Sequence, residues 1–120
     1  MGKAKTIGLW ALQVILALPF VPAGMSKVTS NPGIVRMFER LGFPDGFYFV
    51  VGVVELAGAL GLLIPPVTPH AAVALMCVMA GATYSHLAMG DPIGRAAFTL
   101  ALFALLGVVG WARRPAFLRK

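Results

Sequence analysis

The stretch FYFVVGVVELAGALGLLI, residues 47–64, is the most informative part of the sequence about the fold, because it is long enough to cross a bilayer as a helix and carries a single charge, Glu55. A carboxylate at that depth costs at least about 2.5–3.5 kcal/mol, so it should face protein and have a partner. Gly52, Gly58 and Ala59 lie on the same helix face as Glu55. Small residues let another helix approach closely. We therefore expect Glu55 to point into a helix bundle.

The whole chain shares this apolar character. Of its 120 residues, 59% are hydrophobic and 12% are charged, and the mean hydropathy is +0.89. Soluble domains have about 25% charged residues, and a water-soluble fold of this size could not bury so much apolar surface. The composition predicts an all-α membrane protein, with residues 1–120 forming one domain.

Four apolar segments are predicted to cross the membrane: residues 7–27, 47–64, 70–90 and 93–112. The first also has features of a cleavable signal peptide, but its apolar run is long and leads into further spans, so we expect it to be retained. In the connection after it, apolar residues recur at helical spacing between positions 34 and 41. The prediction is a four-transmembrane-helix bundle with a short amphipathic helix in the first loop. That helix is expected to act as a lid or membrane anchor, or else to hold an anionic headgroup on Arg36 and Arg40.

Basic residues outnumber acidic ones by ten to four, which gives a net charge of +6. They fall mainly at the ends of apolar segments, so we interpret them as topology determinants and not as a nucleic-acid-binding surface. With four spans both termini share one side of the membrane, which carries Lys3, Lys5, Arg113, Arg114, Arg119 and Lys120. The other side carries Lys27, Arg36, Arg40 and Arg95, offset by Glu39, Asp45 and Asp91. This bias predicts a multi-pass protein of the bacterial inner membrane with both termini in the cytoplasm.

The polar residues of the spans are predicted to meet in the outer half of the bilayer. Lys27, Glu55, His86 and Arg95 come from four different helices and all fall near that end. Glu55 and His86 are the candidate catalytic groups, as proton-transfer or ligand-contact side chains. The candidate ligand-binding residues are Lys27, Arg95, Tyr48, Tyr84 and Gln13. The alternative is a buried ion pair that only fixes helix register, between Glu55 and Lys27 or Arg95.

Three further residues have simpler interpretations. Gln13 is either a ligand contact or an interhelical hydrogen bond. Cys77 is expected to be a buried structural thiol, on a close-packing stripe with Gly81 and Ser85. Asp91 is expected to cap the fourth span. No metal site is predicted.

A larger pattern spans nearly the whole chain. It comprises Phe20, Ala23, Gly24 and Lys27, then Met37–Pro44 (MFERLGFP), Gly52–Leu62 (GVVELAGALGL), and Met79, Ala80 and His86. This pattern resembles the DoxX-like family of small bacterial membrane proteins. The resemblance implies a four-helix inner-membrane bundle. It also implies a link to redox chemistry, since the family takes its name from a subunit of a thiosulfate:quinone oxidoreductase and some relatives associate with redox enzymes.

Three functions are consistent with these features. The first is an accessory subunit linked to redox or quinone chemistry, which holds a lipophilic ligand near Glu55. The second is a membrane-embedded acid/base enzyme of isomerase or hydrolase type that acts on a lipophilic substrate. The third is a non-catalytic assembly or interaction protein. No cofactor is evident in the sequence itself, and a lipophilic quinone is the candidate. The expected partners are the lipid bilayer, a redox enzyme or other membrane protein, and a second copy of the chain.

Overall fold

The computed structural model describes residues 2–115, and throughout this range the secondary structure is helical, with no strand. Five helices follow one another: α1 (Lys3–Val28), α2 (Pro32–Arg40), α3 (Phe47–Gly61), α4 (Thr68–Ala88) and α5 (Ile93–Ala112). Among the described residues, α1, α4 and α5 are long and apolar enough to cross a membrane, and α3 is apolar but has only 15 residues. The prediction of an all-α fold is thus confirmed for the described residues, three of whose helices are candidate membrane spans.

The second predicted span is shorter than expected, because α3 ends at Gly61 and not at residue 64. Pro65 has no amide hydrogen to continue the helix, and it disfavours helical geometry at the residue before it. The carbonyl oxygens of Gly61, Leu62 and Ile64 lie within hydrogen-bond distance of the Thr68 hydroxyl, at 3.0–3.2 Å. Thr68, the first residue of α4, therefore provides a hydrogen-bond donor to the backbone at the end of α3.

The long helices run alternately up and down. We call one end of the molecule the termini end: it holds the start of α1, the end of α3, the start of α4 and the end of α5. We call the opposite end, which includes α2, the loop end. Close approaches fix this order: Gly24 of α1 meets Gly52 of α3, and Gly110 of α5 meets Ala72 of α4.

The core lies between these four helices, and each contributes to it. The side chains that are almost completely buried include Leu16 and Phe20 from α1, Leu75 from α4 and Leu106 from α5, with Leu62 just beyond α3. Across the bundle, the hydroxyl groups of Thr83 and Thr99 join α4 to α5 at 2.7 Å.

Of the two predicted small-residue stripes, one is correct and one is wrong. On α3, Gly52, Glu55, Gly58 and Ala59 are all buried, as the sequence predicted. On α4, Ser85 is buried, but Cys77 and Gly81 are exposed. The sequence misled here because a lipid-facing surface is as apolar as a core, so an apolar run does not show which of its residues are buried.

Three helices end in the same hydrogen-bonded turn, the Schellman motif. The left-handed residue of each turn is Ser30, Gly42 or Gly90. The closing amide bonds run from Asn31 to Ser26, from Phe43 to Phe38 and from Asp91 to His86, at 2.9–3.1 Å. This turn brings the residue after the left-handed position back against the last helical turn. The expected capping role of Asp91 is wrong for that reason: among the described residues no side chain caps the amino terminus of α5, and Asp91 is folded back towards α4.

Candidate functional site

The buried charge of α3 is paired with the lysine of α1. The Nζ atom of Lys27 lies 2.7 Å from the Oε1 atom of Glu55, whose side chain is 2% exposed. Lys27 is also largely buried, with a side chain 13% exposed, and its Nζ lies 3.5 Å from the carbonyl oxygen of Ala23. Of the two cations predicted as partners, the structure brings Lys27 to Glu55, and Arg95 bonds elsewhere.

Two glycines make this ion pair geometrically possible. A Cβ atom placed on Gly52 would lie 2.7 Å from the Cβ of Lys27 and 2.9 Å from the carbonyl oxygen of Gly24, so α1 and α3 are in backbone contact here. Helical side chains lean towards the amino terminus of their own helix. Since α1 and α3 are antiparallel, Lys27 and Glu55 lean towards each other across the glycine contact. The pair therefore joins the two helices at the point where they are in closest contact.

His86 and Arg95 belong to a separate polar group at the turn between α4 and α5. The Nδ1 atom of His86 lies 2.9 Å from Oδ2 of Asp91, and Nη1 of Arg95 lies 3.9 Å from the same oxygen. The Schellman turn explains this contact, because it places Asp91 directly against His86. Within residues 2–115, no hydrogen bond or ion pair joins this group to Lys27 or Glu55. The four predicted residues thus lie at the loop end as two groups and not as one.

The two tyrosines have different surroundings. The Tyr48 hydroxyl accepts a hydrogen bond from the Ser30 hydroxyl at 3.3 Å, and its ring meets the edge of Phe38 with centroids 6.2 Å apart. Tyr48 therefore ties the start of α3 to the first loop. Tyr84 is 66% exposed and faces away from the bundle, so the structure does not bring it to either polar group.

Gln13 is the centre of a third polar group, at the termini end. It is completely buried, and its Nε2 donates to the carbonyl oxygen of Leu62 at 2.6 Å and lies 3.4 Å from the Thr68 hydroxyl. Its Oε1 accepts from Nε of Arg113 at 2.9 Å. The guanidinium of Arg113 also lies over the Trp10 ring, 5.5 Å from its centroid. Gln13 was interpreted as either a ligand contact or an interhelical hydrogen bond. In the structure it forms hydrogen bonds between different parts of the bundle.

Sequence reasoning missed three members of these groups. Thr68 falls in the connection between the predicted spans 47–64 and 70–90, Arg113 was interpreted as a topology determinant, and Asp91 as a helix cap. For Asp91 a signal existed: a glycine followed by an aspartate, with a histidine five residues before the aspartate, is the spacing of a Schellman turn closed by an ion pair. Thr68 and Arg113 are 55 and 100 residues away from their partner Gln13 in the chain. No local sequence pattern could indicate contacts over such distances.

The described residues form a side groove and a loop groove. The side groove, of about 290 Å³, lies between α1 and α3 and is lined only by apolar residues: Val14, Ala17, Leu18, Val21, Leu56, Ala59, Leu60 and Leu63. The loop groove, of about 280 Å³, lies between α2 and the start of α3 and is lined by Val35, Phe38, Glu39, Phe43, Pro44, Asp45, Gly46 and Tyr48. Neither groove is lined by Glu55 or His86. In the part of the chain that the structure describes, no three metal-ligating side chains come together.

Comparison with known proteins places the chain in a family. A model described as the DoxX-like family matches residues 11–109. The chain belongs to the DoxX-like family. Among curated proteins, this DoxX-like chain is 42% identical over 92 residues to "Methylamine utilization protein MauE" of Paracoccus denitrificans, covering 68% of the chain and 48% of MauE.

Two other relatives are more distant. "Putative oxidoreductase CatD" of Bacillus subtilis is 32% identical over 60 residues, covering 50% of the chain and 45% of CatD. "Inner membrane protein YqjF" of Escherichia coli is 27% identical over 63 residues, covering 52% of the chain and 48% of YqjF. The DoxX-like chain thus spans about half the length of the curated relatives it matches. No solved structure matches it.

Proposed function

We propose that this DoxX-like chain is an accessory membrane subunit that serves a redox enzyme system and does not itself carry out the reaction. The observation that favours this function is the Lys27–Glu55 contact at 2.7 Å. The carboxylate that would act in an acid/base enzyme is ion-paired with a lysine, and His86 lies against a different residue, Asp91. The name of one relative, a putative oxidoreductase, supports the link to redox chemistry.

We further propose that α3 crosses the membrane as well, so that residues 1–120 form one four-helix domain with α2 lying at the interface. At about 1.5 Å per residue α3 is about 22 Å long, against a hydrocarbon core of about 30 Å. Apolar residues 62–64 extend it, and a short span is accommodated by local thinning of the bilayer at modest cost. The basic residues near both ends of the chain favour cytoplasmic termini.

A lipophilic ligand of this subunit would lie in the side groove. The groove is apolar along its whole length, which suits an isoprenoid or acyl tail. It offers no hydrogen-bond donor to a quinone head, because Lys27 and Glu55 are outside its lining. The residues present therefore fit the tail of a quinone and not its head, and no redox step is assigned to the chain.

The accessory role is tested by removing the chain from its host and assaying the redox activities of the isolated membranes. We expect one membrane-linked oxidoreductase activity to fall and to return when the wild-type chain is supplied. Unchanged redox activities, or turnover of a substrate by the purified chain alone, would contradict the proposal.

The side groove is tested separately, in nanodiscs that contain a long-chain quinone. Leu18→Trp would fill the rim of the groove, and Leu100→Trp would place the same side chain on an exposed part of α5. We expect quinone retained after purification to fall for Leu18→Trp and to stay at the wild-type level for Leu100→Trp. Equal retention in all three proteins would rule out the side groove as the ligand site.

A further inference from the structure

The loop groove contains a pair of acidic side chains that the fold does not use. Glu39 is exposed in the last turn of α2, and Asp45 is exposed just before α3. Neither side chain makes a hydrogen bond or an ion pair with any residue in the range 2–115. The chain's other two carboxylates are both paired, Glu55 with Lys27 and Asp91 with His86 and Arg95.

The position of Glu39 is electrostatically unfavourable. An acidic residue in the last turn of a helix lies near the negative end of the helix dipole. Arg36 and Arg40 are close in sequence, yet neither forms an ion pair with Glu39, and neither lines the groove. The chain as a whole has ten basic residues and four acidic ones. The lining of the loop groove is the opposite, with two carboxylates and no lysine or arginine.

Aromatic rings line the same groove as these carboxylates. The Phe38 and Phe43 rings are 5.3 Å apart because the Schellman turn at Gly42 brings them together, and Phe43 lies 5.1 Å from Phe47. The Tyr48 ring lies against Phe38 at 6.2 Å. These ring contacts are sufficient to explain why the segment MFERLGFP, residues 37–44, contains two phenylalanines. They give no structural role to Glu39 in the same segment.

Aromatic faces and carboxylates recognise the same kind of ligand. The face of an aromatic ring attracts a cation, and quaternary ammonium groups are bound in this way by aromatic cages. A carboxylate adds a charge-assisted contact to an ammonium group. The loop groove combines three ring-bearing side chains with two carboxylates in about 280 Å³, which suits a small organic cation and is poorly suited to an anion.

We propose that the loop groove binds an alkylammonium group, held between Glu39 and Asp45 against the rings of Phe38, Phe43 and Tyr48. The same chemistry occurs in a free amine and in the amine of a lipid headgroup, and the groove recognises the shared ammonium group.

The test uses the full chain in nanodiscs made only of phosphatidylglycerol, which has no amine. Choline and ethanolamine are titrated by calorimetry, together with 3,3-dimethyl-1-butanol, a neutral molecule with the shape of choline. We expect both cations to bind saturably and the neutral molecule not to bind. Because this comparison uses the unaltered protein, it does not depend on whether any variant folds.

Substitutions then locate the binding. The double variant Glu39→Gln/Asp45→Asn removes two exposed charges and keeps their shapes, and we expect it to weaken choline binding by about tenfold or more, the order for charge-assisted contacts. Asp91→Asn is the matched control, since it removes a carboxylate at the same end of the molecule but outside the groove. It should bind choline with wild-type affinity.

The two sources of the ammonium group are separated by the lipid. If a headgroup amine occupies the groove, phosphatidylethanolamine in the nanodisc will abolish binding of the soluble cations; if a free amine is the ligand, their affinity will be unchanged. Either result supports an ammonium site. Equal binding of choline and its neutral analogue, no binding of any probe, or choline binding that is unaffected by Glu39→Gln/Asp45→Asn would overturn it.

Discussion

At the scale of single residues, the buried charge at Glu55 is the most consequential feature of the chain. Removing one member of a buried ion pair leaves the other uncompensated, whereas replacing both with apolar groups is often nearly neutral. Lys27→Met and Glu55→Gln should each lower the free energy of unfolding by about 3 kcal/mol, and Lys27→Met/Glu55→Leu should restore it to within about 1 kcal/mol of wild type. Thermal and denaturant melting in one detergent measures all three.

The control for this cycle is Lys5→Met, which removes an exposed lysine near the start of α1. It should leave the melting curve unchanged, because an exposed charge of this kind contributes little. If the double variant were as unstable as the sum of the two single variants, Lys27 and Glu55 would not be acting as a pair.

Gln13 should matter to stability for a different reason. Gln13→Leu keeps the approximate volume but leaves the Leu62 carbonyl without its amide donor and Arg113 without its acceptor. We expect a loss of about 1–3 kcal/mol, the cost of an unsatisfied buried polar group. Thr29→Val is the control, because the Thr29 hydroxyl bonds only within its own chain segment at an exposed position. A wild-type melting curve for Gln13→Leu would show that the network is not needed for stability.

At the scale of helices, the contact between α1 and α3 depends on the absence of a side chain at Gly52. Gly52→Ala would place a methyl group 2.7 Å from the Cβ of Lys27, so the helices must separate or shift. We expect a loss of about 1–3 kcal/mol from overpacking. Gly81→Ala is the matched control on α4, where nothing lies within 4 Å of the new methyl group. It should be neutral or slightly stabilising, since alanine favours a helix more than glycine does.

The helices were largely predictable because their signals are local. Hydropathy located α4 and α5 to within two residues at each end, and apolar residues at helical spacing located α2. Burial within a helix was harder to predict. It was correct around Glu55, where one charge selects the inward face, and wrong at Cys77, where no polar residue marks either face. At the end of α3, Pro65 is a local signal, but the Thr68 hydroxyl, which lies within hydrogen-bond distance of three carbonyl oxygens, leaves no pattern in hydropathy.

The contents of the polar groups were only partly predictable. The sequence correctly indicated that Glu55 needs a cation and that Lys27 is within reach. It could not separate His86 and Arg95 from that pair, because depth in the membrane gives the height of a residue and not its direction around the helix. The Gln13 group depends on contacts between distant parts of the chain, which only the packed structure defines.

At the scale of the whole molecule, the proposed four crossings make a sharp prediction about accessibility. In a Cys77→Ser background, single cysteines are introduced as Lys3→Cys, Thr29→Cys, Pro66→Cys and Pro92→Cys, all at exposed positions. A membrane-impermeant maleimide should label positions 29 and 92 from one side and positions 3 and 66 from the other. If α3 did not cross, positions 29 and 66 would be labelled from the same side.

The accessory role is tested most directly by extracting the chain from its native membrane with a polymer that keeps its lipids and neighbours. The intact assembly is then examined by native mass spectrometry and by its absorption spectrum. We expect a fixed stoichiometry between this chain and a second protein that carries a redox group such as a flavin or haem. Recovery of the chain alone, or only with further copies of itself, would contradict the proposal that it serves a redox enzyme.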